Sequence, residues 1–517
     1  EIDLGDLRRG PRDPVRPGVD NRLREGLAKG QFTVTVEVVT PEQTKDLGVA
    51  LAPILRTARA LAQDPRVAGL NVTDRVKSDH DHDPVRVALE VGWASGKAPL
   101  VHFSGKDRTP ADLEAALARM DALGLDNLLC VTGDRLKTPP ADRPVRYLDS
   151  VNAVALARQL RPASLVAAAV SPFKYTEEAA LNQYLKMGKK HRAGADYLIT
   201  QIGWDVRKLA ELLRYRAERG LTHPVVAGLM LLPPGVARYL HEGHVPGVVV
   251  TDDLLALVES EARAPDRGAA RRFERLALQI VGAELMGYAG AQLSGLARSD
   301  DVGRTLDLAV GWRDRLRTLE DWSREWQARH RLPGGAPARL APAPAYFLFA
   351  PGPDGGAARP ATAGERARYR ALAALGRAVF ARRSPVHRLL RPLARRVPPD
   401  SAVAEWLMRI ERLVKAPLFG CRACGFCRLP ETFYVCPETC PKGLANGPCG
   451  GSAGNTCEAG DRECIHSVKY RLAKAAGALD DLERTVIPPV PPPHRGSSWL
   501  NHYAGRNPGP LPPPHSR

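Results

Sequence analysis

The stretch Phe32-Thr-Val-Thr-Val-Glu-Val-Val39 decides the fold, because it is a short run of β-branched residues that stops at Thr40-Pro41. Such a run predicts a buried strand. Comparable apolar runs recur along the chain, separated in nearly every case by stretches of helical periodicity: 69–73, 98–104, 127–132, 164–170, 197–201, 224–231 and 287–296. Eight repeats over roughly 265 residues predict a (β/α)8 TIM barrel of α/β class rather than an open doubly wound sheet. No GxGxxG follows the first strand, so a Rossmann dinucleotide site is not supported.

Function in such barrels collects at the carboxyl ends of the strands. This rule places Glu37, Thr73, His102, Asp134 and Gln201 around one mouth. Taken singly, each has an ordinary structural explanation, such as a solvated carboxylate, a turn or a hydrogen bond to a loop. Together, on neighbouring strand ends, they form a candidate site.

Eight of the nine cysteines lie between Cys421 and Cys464. The first three follow a CxxCxxC spacing, a Cys-Pro comes later, and the full set is Cys421, Cys424, Cys427, Cys436, Cys440, Cys449, Cys457 and Cys464. This pattern is typical of [4Fe–4S] ligands, and eight thiolates suffice for two such centres. Zinc at one or both sites remains an alternative, since four-thiolate zinc uses similar spacings. A disulfide scaffold is disfavoured, because Cys130 is the single cysteine elsewhere in this long chain.

Composition divides the chain into five expected regions. They are an N-terminal arm (1–30), the barrel (31–330), a linker rich in Pro, Gly and Ala (331–363), a basic helical segment with the cysteine module (364–485) and a proline-rich tail (486–517). Asp400 or Ser401 is a plausible N-cap for a helix over Val403–Leu413.

Charge and hydropathy narrow the choice of partners. Hydrophobic residues make up 44% and charged residues 25%, and no run approaches 18 uninterrupted apolar residues, so we expect no membrane span and a cytoplasmic protein. The net charge is +17, and residues 365–415 hold 13 Arg or Lys against 4 Asp or Glu. Aromatic residues for base stacking are sparse there, so a solvated helical face or a dock for an acidic electron carrier fits at least as well as nucleic acid.

Over residues 31–300 the chain resembles methylenetetrahydrofolate reductase, the flavin-dependent barrel enzyme of one-carbon metabolism. The resemblance is carried by Thr35-Val-Glu37, Val72-Thr73, His102, Gly133-Asp134, Lys190–Ala195, Ile199-Thr-Gln201 and Trp204-Asp205. It implies reduction of 5,10-methylenetetrahydrofolate to 5-methyltetrahydrofolate.

The same resemblance implies a role for each matched residue. Glu37 corresponds to the general acid, and its flanking valines supply the partly apolar setting that a raised pKa requires. Asp134 corresponds to the aspartate beside the flavin ring, and Gln201 to the glutamine that contacts the pterin. The remaining matched positions correspond to flavin contacts, with the lysine suited to a phosphate: Thr73, His102 and Lys190.

The chain departs from the family at Ser171-Pro172, where a tyrosine and proline are often found, and at Gln183, where an aspartate flavin contact is often found. The arginine-bearing end of strand eight is also not matched. These differences leave the flavin as either FAD or FMN.

The cysteine module resembles the iron–sulfur partner subunit that accompanies this reductase in some anaerobes, here fused to the barrel. The likeness is carried by Leu418–Cys421, Leu429–Thr432 and Cys436–Gly443. It implies electrons arriving singly from ferredoxin or another carrier, with NAD(P)H as the other donor left open, and a homo-oligomer is an expectation without a sequence test. The rival functions are a folate-dependent methyl transferase on the same barrel and a zinc-stabilised nucleic-acid-binding protein.

Overall fold

The computed structural model describes residues 19–141, 145–342, 346–349, 359–491 and 495–508. Its first half is a closed barrel of parallel strands in the order in which they occur along the chain, which confirms the predicted (β/α)8 architecture. The strands are β1 (Thr33–Val38), β2 (Val67–Val72), β3 (Leu100–Ser104), β4 (Asn127–Val131), β5 (Leu165–Val170), β6 (Tyr197–Thr200), β7 (Val225–Met230) and β8 (Gly290–Ser294).

Helices cover the outside of this barrel and close its ends. They are α1 (Arg22–Ala28), α2 (Leu47–Leu61), α3 (Pro84–Ser95), α4 (Pro110–Ala122), α5 (Ser150–Leu160), α6 (Glu177–Arg192), α7 (Val206–Glu218), α8 (Pro234–His241), α9 (Asp252–Glu261), α10 (Ala269–Met286), α11 (Ser299–Arg315) and α12 (Leu319–Ala328). Every connection between successive strands therefore contains one or more helices, as parallel pairing requires.

Strand β1 shows how the sequence sorts its side chains between the two faces of the barrel. Val34, Val36 and Val38 pack into the large apolar layer between strands and helices. The alternate positions Thr35 and Glu37 face the interior, because successive side chains of a strand point to opposite sides. The valines therefore hold the strand in place while Glu37 is delivered to the mouth.

Helix α1 closes the amino-terminal end of the barrel. It begins after Asn21, whose side chain accepts from the Arg24 backbone N–H. Leu23 packs against the interior residues of several strands, including Leu100 and Tyr197. Residues 22–28 of the expected arm are thus a buried plug, and residues 1–18 lie outside the described part of the chain.

Part of the expected linker packs against the barrel. The Tyr346 hydroxyl donates to Asp205 at 3.0 Å, and the Phe347 backbone N–H donates to Glu211 in α7. The Lys208 ammonium group lies 4.8 Å from the centre of the Phe347 ring. Residues 343–345 and 350–358 of the same segment lie outside the described residues.

The carboxyl-terminal half is helical around a loop-rich cysteine module. Its helices are α13 (Ala363–Phe380), α14 (Pro385–Arg396), α15 (Ala402–Phe419), α16 (Ile465–Ala475), α17 (Leu479–Arg484) and α18 (Ser498–Ala504). The Ser401 side chain caps α15 by accepting from the Ala404 N–H, which confirms the predicted N-cap. Within the expected tail, Ile487 is buried and α18 packs on α14 and α15; residues 492–494 and 509–517 lie outside the described residues.

Helix α6 joins the two halves. It is buried over most of its length, because α16 and α17 pack on the side of α6 that faces away from the sheet. Its Asn182 donates to the His466 carbonyl at 3.0 Å, and Tyr470 of α16 donates to Glu177 at 2.7 Å. None of the helices in the described ranges has the length and apolar character needed to cross a bilayer.

Candidate active site and cysteine centres

Glu37 lies at the carboxyl end of β1, where strand β8 holds its carboxylate from one side. The Gln292 amide donates to Glu37 Oε2 at 3.1 Å, and Ser294 bonds the same carboxyl group. Gln292 is itself fixed by Asn71, whose amide donates to Gln292 Oε1 at 2.7 Å and to Thr35 Oγ1 at 2.9 Å. A polar network across β1, β2 and β8 therefore sets the position of the carboxyl group inside the barrel.

The electrostatic setting of Glu37 favours the protonated form. Burial raises the pKa of its carboxyl group above 4.5, and the hydrogen bonds from Ser294 and Gln292 only partly offset that rise. No Lys or Arg is among the groups that influence it. A carboxyl group that retains its proton nearer neutral pH can act as a general acid.

Of the predicted flavin contacts, Thr73 follows the last residue of β2 and His102 lies in the middle of β3. Thr73 accepts from the Thr40 backbone N–H at 3.1 Å, so its hydroxyl can still donate. His102 is buried, its Nε2 has no hydrogen-bond partner among the described residues, and burial lowers its pKa to about 4. The imidazole is therefore neutral and offers an unsatisfied ring nitrogen. Buried polar atoms left without a partner are uncommon and require an explanation.

Further unsatisfied atoms lie at neighbouring strand ends. Within the described residues, Asn71 Oδ1 and Ser171 Oγ are buried and have no hydrogen-bond partner. Together with His102 they border the mouth at β2, β3 and β5. A ligand rich in ring nitrogens and carbonyl oxygens would satisfy such atoms, and a flavin ring has this character, so the residues fit the cofactor that the resemblance implies.

Gln201 follows the last residue of β6. Its backbone N–H donates to the Val170 carbonyl at 2.8 Å, and its side-chain Oε1 accepts from the Ile202 N–H at 2.9 Å. The amide Nε2 remains to face a ligand, and the side chain is half-buried.

Asp134 follows β4 on a loop that the cysteine module touches. Its side chain is exposed, yet surrounding protein raises the pKa of its carboxyl group, an effect that Lys442 partly offsets. The Lys442 ammonium donates to the Gly133 carbonyl at 2.8 Å and pairs with Glu458. The Arg135 N–H donates to Glu458 at 2.6 Å. Asp134 thus lies between the barrel mouth and the cysteine module.

Lys190 lies on α6, and its ammonium group donates to the Ala169 carbonyl of β5. It is buried, and this burial, with a smaller effect from Lys186, lowers its pKa to about 7. The Lys190 ammonium group, a predicted phosphate contact, therefore bonds the backbone of β5 and does not contact Glu37.

The departure from the family at Gln183 has a structural counterpart. The Gln183 amide donates to the Cys449 carbonyl at 2.8 Å, and Lys186 lies 3.2 Å from the Pro448 carbonyl. Lys174 donates to the Gly450 and Ser452 carbonyls. The loop over residues 447–452 therefore covers this part of α6.

The cysteines form two groups, which spacing alone could not assign. Cys421, Cys424, Cys427 and Cys436 line one small cavity of about 20 Å³. Lys415 at the end of α15 approaches this group, with its Nζ 3.5 Å from Cys427 Sγ. We call these four residues the outer group.

The remaining four cysteines influence one another and lie against the barrel. The thiols of Cys449 and Cys457 are among the groups that act on Cys440, and those of Cys449 and Cys440 act on Cys464. Cys449 Sγ lies 3.3 Å from Glu458, which also bonds the Asp134 loop. We call Cys440, Cys449, Cys457 and Cys464 the inner group.

The chemistry of both groups suits thiolate-bound metal. All nine cysteines lie in the described residues, and none forms a disulfide. Burial raises the pKa of Cys436 and Cys464 to about 12, so metal binding would have to displace their protons. In the part of the chain that is described, no three His, Cys, Asp or Glu side chains converge on one point so as to hold a single ion. Four thiols around a cavity are the donor set that a [4Fe–4S] cluster uses.

The sequence did not reveal the residues that contact Glu37 and the Asp134 loop. Gln292 and Ser294 are polar residues at alternate positions of an otherwise apolar strand, and this alternation was the available signal. Lys442 and Glu458 carried none, because their approach to the mouth depends on how the two halves pack.

Two family models match the chain. The one described as methylenetetrahydrofolate reductase matches residues 22–240, and the one described as methylene-tetrahydrofolate reductase C terminal matches residues 401–491. Both matches support membership of the methylenetetrahydrofolate reductase family and an oxidoreductase acting on a folate. Comparison with curated proteins gives no significant match.

Several solved structures are similar to the barrel. One is an uncharacterized protein from Clostridium thermocellum that binds two copies of 5-methyl-5,6,7,8-tetrahydrofolic acid; identity is 13%, the TM-score is 0.44, and the match covers 57% of this chain and 100% of that chain. Another is oxaloacetate acetylhydrolase with 3,3-difluorooxalacetate, at 12% identity and a TM-score of 0.34, covering 57% and 85%. A third is phosphonopyruvate hydrolase with oxalate and Mg²⁺, at 13% identity and a TM-score of 0.32, and the match covers 60% of this chain and 95% of that chain.

Proposed function

Because the barrel carries a methylenetetrahydrofolate reductase domain, we propose that this protein reduces 5,10-methylenetetrahydrofolate to 5-methyltetrahydrofolate with a bound flavin. The observation that carries the proposal is the half-buried Glu37 at the mouth, whose pKa is raised and whose position is fixed by Gln292 and Ser294.

The substrate carries one carbon bridged between N5 and N10, and opening the bridge requires a proton at N10. Glu37 supplies that proton, because burial raises the pKa of its carboxyl group and so favours the protonated form. A bound flavin supplies the hydride that reaches the one-carbon unit. Gln201 orients the pterin through its free amide nitrogen. One proton and one hydride added to the substrate balance the reduction.

Asp134 is exposed on the loop after β4, and no hydrogen bond to its carboxylate is present among the described residues. A negative charge there disfavours added electron density on the flavin ring, which makes the reduced cofactor a stronger donor. The same charge attracts the cationic form of the opened substrate.

The flavin contacts favour FMN over FAD. Thr73 and His102 present a hydroxyl and a neutral imidazole to the ring, whereas the Lys190 ammonium group is engaged by the Ala169 carbonyl. Gln183 lies under the loop over residues 447–452, so the space along α6 that a longer cofactor would need is filled by protein.

The cysteine module would hold iron–sulfur clusters, which would supply electrons to the flavin. The outer and inner groups each offer four thiols, and the inner group is tied to the Asp134 loop through Glu458. Iron–sulfur clusters pass electrons singly, so the source is a one-electron carrier of the ferredoxin type, with NAD(P)H as the direct alternative.

Metal analysis of three variants tests the cysteine assignment. The anaerobically purified protein should contain flavin and about eight irons, four per cluster. Cys424→Ala and Cys457→Ala should each lose about half of the iron, while the matched control Cys130→Ala in the barrel keeps all of it. Zinc in place of iron would overturn the electron-transfer role.

A rate comparison in the same preparations tests the coupling of the two halves. In Cys424→Ala, turnover driven by dithionite should persist and turnover driven by ferredoxin should collapse. Equal retention of both rates would remove the module from the electron path. A protein that binds neither flavin nor folate would overturn the proposed function itself.

A further inference from the structure

One face of α15 exposes a continuous apolar strip. Residues three or four apart on a helix share a face, and five such side chains are open to water: Val403 (52% exposed), Trp406 (60%), Leu413 (76%), Val414 (48%) and Leu418 (49%). The opposite face of the helix is buried against the rest of the domain, through Ala404, Met408, Glu411 and Lys415. We call the exposed set the α15 strip. A contiguous exposed apolar surface of this kind is typical of an interaction site.

The α15 strip leads to the outer cysteine group. The helix ends at Phe419, Gly420 follows in the left-handed conformation with φ of 63°, and Cys421 is the next residue. Beside this end lies an apolar groove of about 320 Å³ between α13 and α15. Its walls include Leu375, Val414 and Leu418, and Cys427 lies at its base. A partner seated on this surface would therefore sit next to the outer group.

The surroundings of the strip are strongly basic. Residues 365–415 hold 13 Arg or Lys and 4 Asp or Glu, a surplus of nine positive charges. Arg409 is exposed on α15, three residues after Trp406 and four before Leu413, so it lies beside the strip. It pairs with Glu405 at 2.8 Å.

We propose, resting on the function proposed above, that the α15 strip and the adjoining groove dock an acidic one-electron carrier protein. The reduced carrier gives one electron to the outer centre and leaves oxidised by one electron. Two such encounters supply the electron pair of one hydride. Electron transfer weakens steeply with distance, so the carrier must dock where this strip ends.

Charge favours an acidic carrier over a second copy of the chain as the partner that binds the α15 strip. A two-fold interface places the same patch against itself, so the surplus of nine positive charges would face an equal surplus. Like charges across an interface suppress association, whereas an acidic partner gains from the same field. The apolar strip then provides contact area after charge has brought the partners together.

Binding measurements on the full-length holoprotein test the proposal, with an acidic two-cluster ferredoxin as the probe. Calorimetric titration at low ionic strength should show binding that weakens as salt rises. Leu413→Glu and Arg409→Glu should each raise the Kd about tenfold, because one places a negative charge in the strip and the other reverses a flanking charge. The matched control is Val49→Glu on α2 of the barrel, where the side chain is 67% exposed, and its Kd should be unchanged.

The outcomes are distinct from failure of the proposed function. If Leu413→Glu and Arg409→Glu leave the Kd unchanged, the docking surface is overturned. It is also overturned by a wild-type dimer in sedimentation that Leu413→Glu dissociates, because a second copy would then cover the strip. If the variants weaken carrier binding as expected, the docking surface is supported. This holds even if dithionite-reduced protein fails to reduce methylenetetrahydrofolate, because that failure overturns the proposed function and leaves the docking surface intact.

Discussion

Replacing Glu37 by Gln removes the titratable proton from the mouth and little else. Gln has almost the same shape as Glu, and its amide oxygen can still accept from Gln292, which donates to Glu37 Oε2 at 3.1 Å in the native protein. The network through Asn71 and Thr35 therefore remains intact, and the variant should fold and bind flavin.

The expected loss is that of a general acid. Proton transfer by a positioned side chain contributes about 10²- to 10⁴-fold to rate, which corresponds to about 3–5 kcal/mol of barrier. Glu37→Gln should lose this factor in the oxidation of reduced flavin by methylenetetrahydrofolate. Reduction of the flavin by its donor needs no proton at folate N10, so that half-reaction should be unchanged.

Stability should change in the opposite direction to activity. Because burial raises the pKa of Glu37, the folded state binds this proton more tightly than the unfolded state does. The carboxylate therefore costs stability once the pH exceeds the unfolded value of about 4.5, and the cost grows until the pH passes the folded pKa. Glu37→Gln should be more stable than wild type at pH 7 and no more stable near pH 4.

Anaerobic stopped-flow spectroscopy at the flavin band measures both half-reactions, and denaturant unfolding at the two pH values measures stability. Glu25→Gln, which changes an exposed side chain of α1 at the opposite end of the barrel, is the matched control and should change neither. Near-normal folate turnover in Glu37→Gln would refute the acid role.

Three further substitutions test other parts of the structure. Asp134→Asn should raise the flavin midpoint potential and slow hydride transfer, and an unchanged potential would make Asp134 a turn residue. Gly247→Ala should lower the Tm and expose the cysteine module to proteolysis. Gly247 has φ of 83°, and an added Cβ would lie 2.1 Å from the Gly450 carbonyl oxygen. The control is Gly235→Ala, because a Cβ added at Gly235 would meet open space. Lys189→Met should stabilise the protein at pH 7, since burial holds the pKa of Lys189 far below 10.5. This gain in stability should vanish as the pH rises to 10.5. A gain in stability that does not depend on pH would contradict this cause.

The barrel could be predicted because its signals are local. Each strand is a short apolar run, and β1 sorts Val34, Val36 and Val38 to the helices by a period of two that needs no knowledge of distant residues. The expected strand at 197–201 differs from β6 by a single residue, Gln201, which lies just beyond the strand. The same locality placed Glu37 and Thr73 at strand ends.

The surroundings of the site could not be predicted in the same way. Whether Glu37 meets Gln292 depends on barrel closure between the first and last strands, a contact 255 residues apart in sequence. Helix α1 was missed because seven residues of modest apolar content carry a weak periodic signal, and its role as a plug depends on the barrel interior that Leu23 fills.

The order of the two cysteine groups follows from what each is attached to. The outer group is continuous with α15, so it lies beside the exposed strip. The inner group is held to the barrel from two sides, by Lys174 on the Gly450 carbonyl and by Lys442 on the Gly133 carbonyl. A carrier docked on α15 would therefore meet the outer group first, and the inner group would lie between it and the mouth. Under the proposed function, a serial path explains why the chain carries two groups of four thiols: a single centre near α15 would leave its electrons far from the barrel mouth.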